Sequence, residues 1–517
     1  MTKIKRRTKR LLRKLLVLAG VAVVMGAALC FTYPAVEHVF QPYSYNYYKY
    51  RPTQEVVSSV DVSGLSPAKA VPILMYHGVV QNEDLENTQL SNFIAEMEML
   101  KKEGYQTISL EELESFLNGQ YVLPPKPVII TFDDGRKDSY YPTDDILKKL
   151  GFRATIFVAT GKTNKQDKFF LSWDELKIMK DSGRWDIQAH GTDAHGLIEV
   201  DSEKTKGRFL TSRKYVNGKG LETVEEFNQR VEQDYLQNIN DIKNHLGIAA
   251  KYYAIPLNDY GEENPSNYPD AYALNNELVK KYFSMAFVEV FVYDEEGGTF
   301  PKKGLQTFNF QDASPYRIAR IEVKNMEASD LKRLLEEGEP KQAKMRIGKS
   351  DPVAFEEATE LLFGSMKFTA DGLHLMASKD SPSARAVFGF QSWNNYSVEA
   401  RIRRLRGRSV VLQAYVSDNN NYISFGLTDN GVFLRETVDG VEKEMGSSMF
   451  SEGSMLKGAT LKLVMKDRRI GAYINGKMVF NLVPISLRRG AVGFKVWDDK
   501  GNGESILEVL TVVPTML

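Results

Sequence analysis

The sequence predicts a multidomain protein in which a membrane segment precedes an α/β domain and an all-β domain. A charge-free apolar run lies near the start of the 517 residues. From Val71 to Leu335 strand-like and helix-like patterns alternate, as in α/β proteins. From Val353 onwards the pattern changes to short alternating strands separated by Asn, Asp and Gly turns, which predicts an antiparallel β-sandwich. The predicted boundaries are a basic tail 1–14, a transmembrane anchor 15–33, a spacer 34–70, the α/β domain 71–335, a linker 336–352 and the β-sandwich 353–517.

The membrane prediction depends on the run "LLVLAGVAVVMGAALCFTY", Leu15 to Tyr33, which has no charged residue. As a helix, this run is long enough to cross a hydrocarbon core of about 30 Å. The preceding "MTKIKRRTKRLLRK" has eight Lys or Arg and no acid, so it should remain cytoplasmic and leave the rest of the chain outside. A cleaved signal peptide is the main alternative, since "GAA" resembles a small-residue cleavage site.

Charge and cysteine content narrow the class of protein. The chain has 67 basic and 67 acidic residues, a balance that gives no indication of nucleic-acid binding. Its single cysteine, Cys30, lies within the apolar run, so the exported part has neither disulfides nor thiol chemistry. We therefore expect a bacterial membrane protein with its folded domains on the cell surface.

In the α/β region, predicted strands alternate with predicted helices. The predicted strands include "VPILMYH", "PVIITF", "ATIFVA", "WDIQAH" and "YYAIPL". Gly104 ends an amphipathic helix, and a longer one opens with a capping box formed by Thr223 and Glu226. This alternation predicts either a parallel barrel or a doubly wound sheet.

Two adjacent carboxylates, Asp133 and Asp134, follow the apolar strand "PVIITF". The next pattern is a helix, with Thr143 as its N-cap and Gly151 as its C-terminal stop, so the strand should belong to a parallel sheet. Active sites of α/β folds lie at the carboxyl ends of such strands. Because neighbouring side chains of an extended chain point to opposite sides, we expect the two carboxylates to have different tasks.

Two histidines follow another predicted strand in "WDIQAHGTDAH". A loop after the strand end could direct His190 and His195 toward one ion, although two histidines in a polar surface loop remain an alternative. With Asp134 they form two imidazoles and one carboxylate, a ligand set of catalytic zinc that leaves a position for water. In this arrangement Asp133 is the general base for that water.

These motifs resemble the polysaccharide deacetylase family, which is the NodB-homology domain or carbohydrate esterase family 4. The resemblance covers "ILMYHGV", "TFDDG", the paired histidines and "YYAIPLNDYG" at the family's third motif. It implies a distorted (β/α) barrel in which Asp134, His190 and His195 hold a divalent metal, most commonly Zn²⁺, and Asp133 is the base. It also implies hydrolysis of N-acetyl groups on a polysaccharide. The four residues between the histidines, and "SPYRIARIEV", are similar to the poly-β-1,6-N-acetylglucosamine deacetylases.

The third motif departs from the family, because no Arg precedes Pro256 in "AIPL". By position, the resemblance implies that the peptide N–H of Leu257 is the oxyanion donor and that Pro256 and Tyr260 belong to the substrate site. These departures leave open a weak or inactive glycan-binding scaffold. Deacetylation of peptidoglycan rather than of an exopolysaccharide also remains open.

The family's late histidine, a general acid, has no counterpart, since no histidine lies between His245 and His374. His77, at the end of "LMYH", is our candidate for a polarising group or acid. A hydrogen-bonded core histidine is the alternative reading.

The C-terminal strands resemble concanavalin-like or laminin-G-like jelly rolls in their strand pattern. No E-x-D-x-x-E catalytic strand is present, so glycan binding or spacing is the expected role. Four aromatic residues could stack on sugar rings, with core packing as the alternative: Trp393, Tyr396, Tyr422 and Trp497.

Overall fold

The computed structural model describes residues 48–53, 56, 60–62, 64–259, 267–290, 308–324, 326–417, 419–438, 440–449 and 458–515. The predicted basic tail and anchor, residues 1–33, lie outside these ranges, as does Tyr260. Within the described ranges, every helix is too short or too polar to span a bilayer.

Nine strands of the α/β region form one sheet. They are β1 (Ala70–Tyr76), β2 (Gln106–Thr107), β3 (Pro127–Phe132), β4 (Ala154–Val158), β5 (Trp185–Ala189), β6 (Tyr252–Ala254), β7 (Met285–Val290), β8 (Phe308–Phe310) and β9 (Ile318–Glu322). Their order is β8-β1-β9-β7-β6-β5-β4-β3-β2, and β1 also pairs with β3. That pairing closes seven strands into a barrel, and neighbours such as β3 with β4 and β4 with β5 run parallel. The barrel prediction is confirmed, and the doubly wound alternative is wrong.

Strands β1 and β3 of the barrel are apolar on both faces. Every residue of β1 and of β3 is buried, as expected for parallel strands covered by helices. Helices of the region include α1 (Leu90–Lys102), α2 (Leu110–Leu117), α3 (Lys137–Tyr140), α4 (Asp144–Leu150), α5 (Thr160–Asn164), α6 (Trp173–Asp181), α7 (Val224–Leu246), α8 (Ala271–Tyr282) and α9 (Ala328–Gly338).

Two helix boundaries test the capping predictions. At the start of α7, Thr223 Oγ1 accepts from Glu226 N at 3.2 Å while the Glu226 carboxylate accepts from Thr223 N at 2.9 Å, so the predicted capping box is confirmed. Helix α4 ends at Gly151 with a left-handed φ of 72°, also as predicted. Thr143 is the N-cap residue of α4, as predicted, but its side chain makes no capping hydrogen bond, because its buried hydroxyl donates to Ser139 O at 2.5 Å in the preceding helix.

The described residues between 345 and 515 form a β-rich region, which also contains the short helix α10 (Pro352–Glu357). Its strands are β10 (Met345–Gly348), β11 (Thr359–Phe363), β12 (Ser365–Thr369), β13 (Gly372–Met376), β14 (Ser383–Phe388), β15 (Tyr396–Arg406), β16 (Ser409–Val416), β17 (Tyr422–Thr428), β18 (Gly431–Val438), β19 (Val441–Met449), β20 (Ala459–Lys466), β21 (Arg469–Ile474), β22 (Lys477–Pro484), β23 (Ala491–Trp497) and β24 (Glu504–Pro514). One antiparallel sheet has the order β12-β13-β24-β15-β20-β21-β22, with β10 also on β24, and the other has the order β11-β14-β23-β16-β17-β18-β19. Alternate residues of both sheets contribute to one hydrophobic cluster.

Strand β10 lies inside the stretch that the sequence assigned to the linker. It pairs antiparallel with β24, so that Ile347 lies opposite Leu510. The β-rich region therefore begins before the predicted boundary at residue 353. Four residues carry too little periodicity to be recognised as a strand without their partner.

Two of the four aromatic residues considered for sugar stacking lie in the core. The side chains of Trp393 and Tyr396 are 1% and 0% exposed, as in the core-packing alternative. Trp497 is 41% exposed, and Tyr422 is half-buried. Only this second pair is accessible to a ligand in the described structure.

Candidate active site

The chain turns sharply after β3, at the two predicted carboxylates. Asp133 N donates to Tyr76 O at 3.0 Å, and its side chain is fully buried. Asp134 and Gly135 then adopt left-handed φ values of 71° and 77°. Aspartate is one of the few residues that tolerate this conformation, and such local strain is concentrated at functional sites. The turn leaves Asp134 partly exposed while its neighbour stays buried.

The two histidines converge on these carboxylates. His190, directly after β5, has its Nδ1 2.8 Å from Ala254 O, so Nδ1–H donates and the Nε2 lone pair is free to bind. His190 Nε2 lies 3.6 Å from Asp134 Oδ1 and 3.7 Å from Asp133 Oδ2. His195 Nε2 lies 3.1 Å from the same Asp134 oxygen. The sequence-predicted set is thus brought together in one place.

The donor set fits a divalent metal ion. Ligand atoms of Asp134, His190 and His195 all lie within 4.8 Å of one another. Two atoms that bind one zinc ion tetrahedrally at about 2.0–2.1 Å lie about 3.4 Å apart, and the two distances to Asp134 Oδ1 bracket that value. Two neutral imidazoles and one carboxylate would hold zinc and leave a position for water.

The electrostatics keep the carboxylate ligand ionised. Burial acts to raise the pKa of Asp134, but the contacts with His190 and His195 and the charge of His77 hold that pKa well below its usual value. Burial acts to lower the pKa of His190, but the charge of Asp133 and the contact with Asp134 raise it. Burial and the charge of His190 lower the pKa of His195, which favours the neutral, metal-binding form of that ring.

Two buried polar residues of α7 position the histidine loop. The carboxylate of Asp234 accepts from Thr192 N at 3.0 Å and from Asp193 N at 2.6 Å. Asn238 Nδ2 donates to Gly191 O at 2.6 Å and is fully buried. Sequence reasoning missed both residues, although two polar side chains one turn apart beside the apolar stripe of α7 could have indicated such a role.

We expect Asp234→Asn to weaken zinc binding about tenfold, because an amide offers one acceptor to two backbone N–H groups and loosens the loop that carries His195. Competition with a chromogenic chelator at pH 7 measures this. The same substitution at Asp181, an exposed residue of α6, is the matched control. Unchanged zinc affinity in Asp234→Asn would contradict the positioning role.

The same variant tests the pKa of Asp234, which burial raises from 3.8 to about 6 despite its two N–H donors. Its nearby charges are Asp193, which raises the pKa, and Arg230, which lowers it. Because the pKa of this carboxyl group is higher in the folded than in the unfolded state, the free energy of unfolding of the protein falls as pH rises from about 4 to 6. At about 1.4 kcal/mol per pH unit this loss is roughly 3 kcal/mol. The melting temperature of the wild type should therefore fall relative to that of Asp234→Asn over that pH interval. Melting temperatures that change with pH in parallel for the two proteins would refute the raised pKa of Asp234.

Sequence reasoning also missed Arg136, which directly follows "TFDDG". Its guanidinium forms a bidentate contact with Asp138 at 2.6 and 2.9 Å and donates to Asn87 Oδ1 at 2.7 Å. Burial opposes its positive charge, but Asp138 and then Asp134 raise the pKa of Arg136, so a fixed cation lies in the field of the Asp134 carboxylate. A Cβ at Gly78 would lie 2.5 Å from this guanidinium, which accounts for the glycine in "MYHGV".

The remaining predicted residues lie at two other strand ends. His77 follows β1, and a ring nitrogen lies within 4.8 Å of an Asp133 carboxylate oxygen. Pro256 and Leu257 form a short turn after β6, the strand whose Ala254 carbonyl fixes His190. Leu257 is left-handed, with φ 57°, and its side chain is 43% exposed.

Comparisons with known proteins find relatives of the region that holds this cluster. Residues 120–267 match the family model described as polysaccharide deacetylase. The chain is 34% identical over 148 residues to the Bacillus subtilis protein YxkH, covering 29% of this chain and 51% of that protein. It is 28% identical over 250 residues to the poly-beta-1,6-N-acetyl-D-glucosamine N-deacetylase of Staphylococcus epidermidis, covering 47% of this chain and 71% of that protein.

A solved de-N-acetylase from Aggregatibacter actinomycetemcomitans aligns with a TM-score of 0.42 and 19% identity, over 51% of this chain and 99% of that one. The chain spans about half the length of YxkH. The family match includes Asp133, Asp134 and both histidines of the cluster. The part of the chain that holds the cluster, within residues 120–267, is therefore similar to the polysaccharide deacetylase family.

Proposed function

We propose that the protein is a metal-dependent polysaccharide N-deacetylase acting on an exopolysaccharide that contains N-acetylglucosamine. The observation that carries this proposal is the fully buried Asp133 beside the cluster of Asp134, His190 and His195. The Staphylococcus epidermidis relative, named as a poly-beta-1,6-N-acetyl-D-glucosamine deacetylase, and the spacing of the histidines support this class of glycan.

The chemistry is hydrolysis of an acetamide. A zinc ion at the cluster would polarise the acetyl carbonyl and lower the pKa of water toward 7. Asp133 accepts the proton of the attacking water, and the water oxygen bonds to the carbonyl carbon. The C–N bond then breaks, the sugar nitrogen takes up a proton and acetate leaves. In this proposal the N–H of Leu257 donates to the oxyanion, and Pro256 and Tyr260 belong to the substrate site.

We propose that His77 donates the proton to the leaving amine. Its ring lies near Asp133 but outside the three-residue metal set. Replacing the ring should leave intact the bond from Ser139 Oγ to the backbone carbonyl of His77, which is 2.7 Å long. His77→Gln should therefore lower kcat about 100-fold with zinc affinity unchanged, as measured by acetate release and metal titration. Wild-type turnover in this variant would remove His77 from the mechanism.

The choice of glycan is tested by comparing kcat/KM for poly-β-1,6-N-acetylglucosamine oligomers and for peptidoglycan fragments, using the zinc-loaded full chain in detergent. We expect the exopolysaccharide oligomers to be preferred at least about tenfold. A preference for peptidoglycan would support the alternative wall-glycan deacetylase. Zinc binding without turnover of either substrate would support a glycan-binding scaffold, which the missing late histidine favours.

We further propose that residues 15–33 anchor the protein in the cell membrane with both folded regions on the outside. The basic residues before this segment support that orientation. For the β-rich region we propose a concanavalin-like jelly roll, supported by its two antiparallel sheets and their common hydrophobic cluster.

A further inference from the structure

The sheet β11-β14-β23-β16-β17-β18-β19 has a groove on its outer face, with a volume of about 580 Å³. Lys495 and Trp497 of β23 both line it. They lie two residues apart on one strand and therefore share a face, whereas Phe494 and Val496 point into the hydrophobic cluster. The groove is therefore a surface feature of one sheet, separate from the deacetylase cluster.

Aromatic rings form part of the wall of this groove. The ring of Phe433 lies against the backbone of Gly426 on the neighbouring strand, where any Cβ would collide with it. The Arg435 guanidinium lies 4.3 Å from the Phe433 centroid. Trp497 presents its exposed indole to the same groove. Such rings offer flat apolar surfaces on which the C–H face of a sugar can pack.

Most charged groups of the groove are neutralised locally. Arg408 pairs with Asp499 at 3.2 Å, and Arg435 pairs with Glu442 at 3.0 Å. Asp429 pairs with Arg404. Lys495 differs, because it forms no salt bridge with any residue that the structure describes.

The surroundings of Lys495 destabilise its positive charge, so that a bound anion would be stabilising. In the strand register it lies opposite Arg385, a second cation that is only 2% exposed and packs 4.4 Å from the Tyr422 ring. Like charges placed opposite each other destabilise a sheet. Burial, and then the charge of Arg385, lower the pKa of Lys495, while the charge of Glu442 raises it to a smaller extent. An anion bound beside the ammonium group would offset both effects.

We propose that this groove binds an acidic saccharide, with its carboxylate or phosphate on Lys495 and a sugar ring against Trp497 and Phe433. A deacetylated glycan does not fit, because its ammonium groups would be repelled by Lys495 and Arg385. The groove would therefore hold the protein on an acidic polymer of the envelope rather than on its own product. This inference does not depend on the proposed deacetylase activity.

Isothermal titration of the full chain in detergent tests the proposal with three probes. They are an oligogalacturonate that carries carboxylates, a phosphomannan oligosaccharide that carries phosphates, and a neutral N-acetylglucosamine oligomer. We expect at least one acidic probe to bind more tightly than the neutral one, and which of the two binds identifies the source of the negative charge. Lys495→Gln should weaken that binding about tenfold, and Trp497→Ala by a similar factor. The matched control is Lys462→Gln, on the other sheet, which should leave the affinity unchanged.

Failure of both acidic probes to bind would overturn the proposal, as would equal binding of the neutral oligomer. Wild-type affinity in Lys495→Gln would also overturn it. If the melting temperature shows that Lys495→Gln is unfolded, the affinity of Trp497→Ala for the acidic probe tests the proposal instead. The exposed side chain of Trp497 can be removed without leaving a core cavity. Binding is measured without acetate release, so an inactive deacetylase domain would not affect the result.

Discussion

Asp133→Asn is expected to lower the rate of acetate release at least 100-fold while leaving zinc affinity nearly unchanged. A positioned general base contributes about 10²–10⁴-fold to such reactions, and an amide cannot accept the proton. Asparagine has almost the same shape, and the backbone bond from residue 133 to Tyr76 O does not involve the side chain. The variant should therefore fold normally. The measurement is kcat for acetate release, with zinc content determined on the same sample.

The matched control for this loss is Asp181→Asn, which removes an exposed carboxylate from α6 and should keep full activity. More than a tenth of the wild-type rate in Asp133→Asn would show that another group accepts the proton. Loss of zinc together with activity would place Asp133 among the ligands instead.

Asp134→Asn is expected to weaken zinc binding at least about 100-fold. The substitution removes the only carboxylate of the ligand set and the partner that both imidazoles share. Asparagine also tolerates the left-handed φ of 71° at this position, so the turn itself should survive. The dissociation constant is measured by competition with a chelator of known affinity, alongside a melting curve.

Zinc affinity within a few-fold of the wild type would contradict the role of Asp134 as a ligand. A zinc-induced rise in melting temperature in the wild type, with no such rise in Asp134→Asn, would agree with that role. The rise follows from binding to the folded state alone.

The barrel and the core of the site could be predicted from local sequence patterns. Strand β3 is a continuous apolar run that is followed by Asp133 and then by a helix. This one segment was enough to predict a parallel strand with functional residues at its carboxyl end. The paired histidines follow another such strand. Because parallel strands bring their carboxyl ends to one edge, their approach to Asp134 followed from the fold class.

What could not be predicted depends on contacts between distant segments. Asp234 and Asn238 act on a loop more than 40 residues away in the chain, as their hydrogen bonds show. Their role depends on which direction each face of α7 points, and the periodicity of the sequence shows only where the apolar stripe lies. Strand β10 was missed for a similar reason, since it is stabilised by its pairing with β24 near the end of the chain. The N-cap position of Thr143 was predictable, but the bond from its hydroxyl to a carbonyl of the preceding helix was not.

Metal-dependent deacetylation can be measured as acetate release from a poly-β-1,6-N-acetylglucosamine oligomer, using the full chain stripped of metal and then reloaded with zinc. We expect no acetate release from the stripped protein, recovery when zinc is restored, and no release from zinc-loaded Asp133→Asn. Equal release with and without metal would show that the reaction does not need the metal. The absence of release from a folded, zinc-loaded wild type would contradict deacetylation, in which case the domain would bind glycans without hydrolysing them.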